Sequence, residues 1–466
     1  MSTVIIRNGT LLTDAGRAAA DVFIEGGLIA RIGHGLTPAA DTVIDASGLF
    51  VIPGGVDAHT HLDMPAGDIT STDDFETGTV AAAHGGTTTI IDFATPAPGE
   101  ELPAAVDTWM AKAAGRAVID YGFHVVVREF GPRTAADMCS LASREGVSSF
   151  KMFMAYPGRL MASDDAIFRA LLHTREHGGL VMIHAENGGA IDVLVSEALR
   201  RGQTAPEFHA RTRPPRAEAE ATARAIALAE MAGAPVFIVH LSCAEALEAV
   251  EQGLGRGAAV FAETCPQYLC LSDAEYARDG FDGAKFVMSP PLRPAGHQQA
   301  LWSGIAARDL HTVGTDHCPF GMHDPPHKQR GRDDFSKIPN GAPGIETRLM
   351  LLWDAGVRTG LITPERFVEV TASAPAKIFG LWPRKGTLAV GSDADIVLWN
   401  PEKQVTLSAS THHMRVDYSL YEGRTVTGAP ETVLSRGEVI VDRGVFVGHA
   451  GRGHFLKRAA EVPASA

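Results

Sequence analysis

Between residues 49 and 318 one arrangement recurs eight times, and it constrains the fold more than any other feature of the chain. A short apolar run, rich in β-branched or aromatic residues, gives way to a polar or helical stretch. The runs are LFVIPGGVDAHTH, TTTIIDF, YGFHVVV, SSFKMFM, LVMIHAE, PVFIVHLS, AVFAETCP and HTVGTDHC. Segments rich in Ala, Leu and Glu separate most of them, such as PRAEAEATARAIALAEMAG and CAEALEAVEQG, and these read as helices. Eight strands alternating with helices predict an α/β fold, a parallel (β/α)8 TIM-like barrel. No short repeat of fixed period is visible, which argues against a solenoid.

The flanks differ in texture. VIIRNGTLL, DVFIEGGLIARIG and DTVIDASG are short, rich in Val and Ile, and broken by Asn-Gly and Gly-Gly turn signals. Similar stretches return near the other end in TLAVGSDADIVLW and ETVLSRGEVIVDRGVFV. Neither set makes a convincing sheet alone, so the expectation is a small β-sandwich domain built from both chain ends. The predicted boundaries are 1–52 with 385–447 for that domain and 53–384 for the barrel. The tail, 448–466, is rich in Gly and Ala and is expected to be mobile unless a neighbouring subunit holds it.

Composition removes several classes of function. The formal net charge is −14, and no basic run or stripe offers a surface for nucleic acid or anionic lipid. No apolar stretch approaches the ~20 residues that span a bilayer. The N-terminus does not read as a secretory signal. Five cysteines without a CxxC pair argue against a disulfide framework and for a reducing, cytoplasmic setting.

The ligand-type residues fall in one place. His59 and His61 end the first barrel strand, and residues two apart on a strand point the same way. His184 ends LVMIH, His240 ends PVFIVH, and Asp316 ends TVGTD. All five sit at strand C-terminal ends, the face where barrel active sites lie. A single histidine after an apolar run is more often a hydrogen-bonded structural residue, and the chain has 19 of them. Four histidines and an aspartate on one rim are hard to explain as packing and point to bound metal. Lys151, in SSFKMFM, is a cation in an otherwise apolar strand. Local sequence allows a Schiff-base amine or a structural lysine paired with a carboxylate.

The segments GGVDAHTHLDMP, SSFKMFMAY, MIHAENG, IVHLSC, ETCPQYL, FVMSPPLR, GTDHCPFG and KIPNGAPGIETR, in this order, resemble the dihydropyrimidinase/hydantoinase family of cyclic amidohydrolases. The similarity runs through nearly the whole barrel. It implies that Lys151 is carboxylated by CO2 to N6-carboxylysine, and that the carbamate bridges two divalent ions, zinc being the first choice. His59, His61, Lys151 and Asp316 would hold one ion; the carbamate, His184 and His240 would hold the other. Sequence leaves manganese, cobalt and iron open. The implied substrate is a small cyclic amide or imide, the reaction is hydrolytic ring opening, and the implied assembly is a homotetramer, with a homodimer as the alternative.

In the mechanism this resemblance supports, a metal-bridging hydroxide attacks the ring carbonyl. Asp316 takes its proton and passes it to the leaving nitrogen, while a metal ion and the Tyr156 hydroxyl stabilise the oxyanion. Backbone groups near Ser289 and Asn340 hold the ring, although Asn340-Gly341 is also an ordinary turn dipeptide. Met64, Phe153 and Leu160 are the candidates for contact with the exocyclic substituent, and Ala66 stands where many relatives place a bulkier residue. His317 should point away from the site into packing, His323 and His327 read as surface residues, and Cys318 is a poor nucleophile candidate.

Within this enzyme class the competing readings are allantoinase and dihydroorotase. The latter must bind a substrate carboxylate, for which the sequence shows no dedicated basic contact, although arginines such as Arg293 are available. Outside it stands a non-catalytic scaffold relative, which would lack the ligand set present here.

Overall fold

The computed structural model describes residues 3–462. Eight parallel strands form one sheet in chain order: Gly55–Thr60, Thr87–Ala94, Asp120–Val126, Ser149–Phe153, Leu180–His184, Val236–Ile238, Val260–Thr264 and Thr312–Val313. These are the eight runs read from the sequence. The last strand returns to the first: Thr315 Oγ donates to Asp57 Oδ2 at 2.6 Å, and the His61 amide donates to the His317 carbonyl at 2.9 Å. Buried Arg348 clips the same seam, donating to the Val56 and Val313 carbonyls, both at 3.0 Å. The sheet is therefore a barrel, and helices cover its outside.

The first run proved to be two strands. Phe50–Pro53 belongs to the terminal sheet and Gly55–Thr60 to the barrel. Gly54 makes the crossing, and a Cβ there would lie 2.0 Å from Thr88 Oγ1. Only a residue without a side chain lets the backbone pass so close.

The two chain ends do come together, as one nine-stranded sheet. Pro53, Ile52, Val51 and Phe50 pair antiparallel with Ile396, Val397, Leu398 and Trp399, which joins the N-terminal strands to Ile396–Thr406 and Thr425–Ser435. The terminal strands thus form the separate domain expected from both chain ends, hydrogen-bonded along one continuous path whose register shifts between Ile6 and Gly9 and between Asn400 and Gln404. Its apolar face, with Val4, Ile6, Val22, Ile24, Ile396 and Leu398, is a cluster separate from the barrel cores.

The tail departs from expectation. As far as residue 462 it is strapped to its own barrel; residues 463–466 lie outside the described residues. The Leu456 amide donates to the Tyr121 carbonyl at 2.7 Å, and Gly179 donates to the Ala460 carbonyl at 2.8 Å. Leu456 is fully buried in the cluster holding Val56, Phe237 and Phe261. Buried Arg458 donates to Ser149 Oγ at 2.9 Å and to the Phe123 and Phe379 carbonyls. The Gly and Ala content concealed these anchors, because two buried guanidiniums, Arg452 and Arg458, and one leucine decide the segment's fate. No described helix is long and apolar enough to cross a membrane, and all five cysteines are unpaired.

Candidate metal centre

Strand ends of the barrel bring the six metal-ligand candidates together. The pairing of Gly55–Thr60 with Thr87–Ala94 gains one residue between Asp57 and Thr60, a bulge that re-aims the side chains after it. His59 Nε2 lies 3.2 Å and His61 Nε2 3.1 Å from the same atom, Asp316 Oδ1. Ligand atoms of these three residues all lie within 4.8 Å of one another. Across the mouth, His184 Nδ1 faces His240 Nε2 at 2.9 Å. Lys151 Nζ stands 3.0 Å from His59 Nε2, over the Phe93 ring at 4.2 Å and near the Phe153 ring at 5.1 Å. His59, Lys151, His184 and His240 are at most 2 % exposed.

Two carboxylates that sequence reading passed over orient these rings. Glu263 Oε1 lies 2.6 Å from His59 Nδ1, and Glu186 Oε2 lies 2.8 Å from His184 Nε2. Each takes the N–H of its imidazole, so the other ring nitrogen, His59 Nε2 or His184 Nδ1, turns a lone pair inward. The signal for Glu263 was available: like Lys151, it is a charged residue within an otherwise apolar strand, here VFAET. Gly314 serves this contact, since a Cβ there would fall 2.5 Å from Glu263 Oε2 and 3.0 Å from His59 Cβ.

The donor set fits a cation. His59 Nε2 presents a lone pair to a carboxylate oxygen 3.2 Å away, a repulsive pairing unless a proton or a metal ion lies between. His61 Nδ1, His240 Nδ1 and Glu263 Oε2 are buried without hydrogen-bond partners. Imidazole and carboxylate together suit zinc and its first-row neighbours. In the metal-free protein, burial would lower His59, as would Lys151, yet Glu263 and Asp316 leave its imidazole raised. Burial would raise Asp316, but the His59 charge and hydrogen bonds from His59 and His61 hold it well below the carboxylate range. Burial brings the Lys151 ammonium down to about 8 against the pull of Asp316 and Glu263. His240, Asp316 and Tyr156 have positive φ of 38°, 52° and 65°, left-handed backbone of the kind that concentrates at functional sites.

Tyr156 leans over this centre, its ring 5.5 Å from that of His184. Burial raises its hydroxyl, and the Arg213 charge, ahead of the Ser289 and Asn340 side chains, opposes that rise. Asn340 Nδ2 donates to Ser289 Oγ at 3.0 Å, so these three residues from distant segments form one group. The apolar candidates divide. Phe153 and Leu160 pack with the cluster that includes Tyr156, whereas Met64 and Ala66 pack with Ile69, Cys318 and Phe320.

His317 points into packing, with Nε2 3.1 Å from Asp73 Oδ2. His323 is exposed and His327 half-buried. Cys318 is buried, and its thiol is pushed well above its usual range, first by burial and then by Asp316. Arg293 is committed elsewhere: it pairs with Glu218 at 2.6 Å and donates to Ser242 Oγ at 2.9 Å.

A closed parallel barrel with this ligand set on its C-terminal rim defines a class, and comparison with known proteins agrees. Residues 50–440 match the profile described as "Amidohydrolase family", and the chain belongs to that family. It is 51% identical over 463 residues to a D-hydantoinase of Streptomyces coelicolor, with 98% of each chain covered. Identity to a D-hydantoinase of Geobacillus stearothermophilus is 48%, covering 98% of this chain and 97% of that one. A solved dihydropyrimidinase from Brevibacillus agri NCHU1002 matches with a TM-score of 0.97 at 48% identity, covering 99% of this chain and all of that one. The chain is a cyclic amidohydrolase of the dihydropyrimidinase/hydantoinase group, an enzyme of hydrolytic ring opening.

Proposed function

We propose that this enzyme opens 5,6-dihydropyrimidines and 5-substituted hydantoins to N-carbamoyl amino acids. One observation carries the reading. Two sets of inward-facing ring nitrogens, His59 with His61 and His184 with His240, flank Lys151, which stands 3.0 Å from His59 Nε2.

His59, His61 and Asp316 would hold one ion and His184 with His240 the other, with Lys151 shared between them. For that sharing, the lysine nitrogen would add to CO2 with loss of a proton, and the carbamate would supply anionic oxygen donors beside the histidines. Two bound divalent ions, zinc by preference, supply hydroxide at neutral pH and Lewis acidity. Asp316, with Oδ1 turned to the two histidines, would receive a proton on its other carboxylate oxygen and return it to the leaving nitrogen. The Tyr156 hydroxyl donates to the oxygen of the attacked carbonyl as charge develops there. Backbone at Ser289 and Asn340 holds the ring, and Met64, Phe153 and Leu160 contact its substituent. Arg293, held by Glu218, is not free to meet a substrate carboxylate, which favours an uncharged ring over dihydroorotate.

The test is a panel of dihydrouracil, hydantoin, both enantiomers of 5-phenylhydantoin, allantoin and dihydroorotate, assayed after metal analysis of protein purified without chelator. The D-hydantoinases named above lead us to expect faster turnover of the D enantiomer. Dihydroorotate or allantoin as best substrate would overturn the assignment. Protein prepared with labelled bicarbonate should show a carbamate carbon signal, absent in Lys151→Ala. Five unpaired cysteines support a cytoplasmic location. The family resemblance supports a homotetramer, which sedimentation would distinguish from a homodimer.

A further inference from the structure

We infer that Lys328 is a positioning residue for substrate. Its ammonium ties together the backbone around Ser289 and Asn340 and sets how tightly that backbone grips the ring. The inference rests on the functional reading above.

Lys328 lies in HDPPHKQRGRDD, a polar loop in which a lysine would ordinarily reach solvent. Instead it is 0% exposed. Its Nζ donates to three backbone carbonyls, Val287 at 2.8 Å, Pro339 at 2.7 Å and Gly341 at 2.8 Å. An ammonium has three protons to donate, and all three are used. No carboxylate lies within ion-pair distance of it among the described residues.

These carbonyls belong to the two segments that carry Ser289 and Asn340. Val287 stands two residues before Ser289, and Pro339 and Gly341 bracket Asn340. The segments also touch directly, through the Gly341 amide on the Val287 carbonyl at 3.1 Å and through Asn340 Nδ2 on Ser289 Oγ at 3.0 Å. His209 Nε2 meets the Met288 carbonyl at 2.8 Å from a third side. With the carbonyls drawn onto Lys328, the backbone N–H groups between them are held in fixed directions. The Pro339 carbonyl shares a peptide unit with the Asn340 N–H. A cation on that oxygen polarises the amide and strengthens its N–H as a donor. Lys328 touches no reacting atom and acts through these loops.

The experiment uses full-length, metal-loaded enzyme with dihydrouracil. Lys328→Met keeps the length of the side chain and removes the charge and every donor. We expect its KM to rise about tenfold or more, with a smaller change in kcat and unchanged metal content. Lys328→Ala should behave alike, and added n-propylammonium should lower its KM again. A merely structural lysine would lower the melting temperature without that split and without amine rescue. Lys328→Gln, which keeps two donors, serves if the other variants do not fold, and its KM should be intermediate. An active parent with unchanged KM in the folded variants overturns the inference alone. A parent that opens no cyclic amide overturns the functional reading and this inference with it.

Discussion

Glu263 Oε1 and His59 Nδ1 lie 2.6 Å apart, both fully buried, and this contact fixes which nitrogen of His59 faces Asp316. The carboxylate takes the Nδ1–H, so Nε2 enters the centre as a lone pair. Replacing Glu263 with Gln keeps the shape and removes the charge. Metal affinity should fall about ten- to a hundredfold, read as metal retained against graded chelator. Retention equal to the parent's would show that Glu263 does not govern the tautomer.

Tyr156→Phe isolates the hydroxyl that Ser289 and Asn340 flank. Loss of one oxyanion donor should cut kcat about a hundredfold. Metal content should not change, because no ligand is touched. Near-parental turnover removes Tyr156 from the mechanism.

Arg458 anchors the C-terminal strap through Ser149 Oγ and two backbone carbonyls. Arg458→Met leaves those buried acceptors unpaired and should cost about 2–3 kcal/mol of stability in urea unfolding. An unchanged unfolding midpoint would mean that the strap contributes nothing to the fold.

His84 stacks on His413 with ring centroids 3.3 Å apart. Burial first, and then the His413 charge, pushes its imidazole down to about 3. The unfolded chain titrates this group near pH 6.5, so between about 6.5 and 3 the unfolded state binds a proton that the folded state refuses. Stability is full above that window and is lost as pH falls through it, amounting to ~2 kcal/mol from this group by pH 5. His84→Phe should therefore flatten the acid-side fall in melting temperature relative to the parent. Parallel curves would show that the histidine is not responsible.

Local pattern decided most of the architecture. Every barrel strand was legible because each is buried on both faces and must be written as an apolar run. His59, His61, His184, His240 and Asp316 stood out because polar residues gathered at the ends of such runs have few packing explanations, and Lys151 because it is a cation inside one. What the sequence could not decide depends on which distant groups become neighbours. Lys328, Arg452 and Arg458 look like ordinary surface cations until the fold encloses them with backbone carbonyls. Glu263 becomes the partner of His59 only when separate strand ends meet. The strapped tail is likewise a long-range pairing. Periodicity reports how a residue sits within its own element, whereas the partner of a buried charge is fixed by closure of the barrel, and only the tertiary structure contains that information.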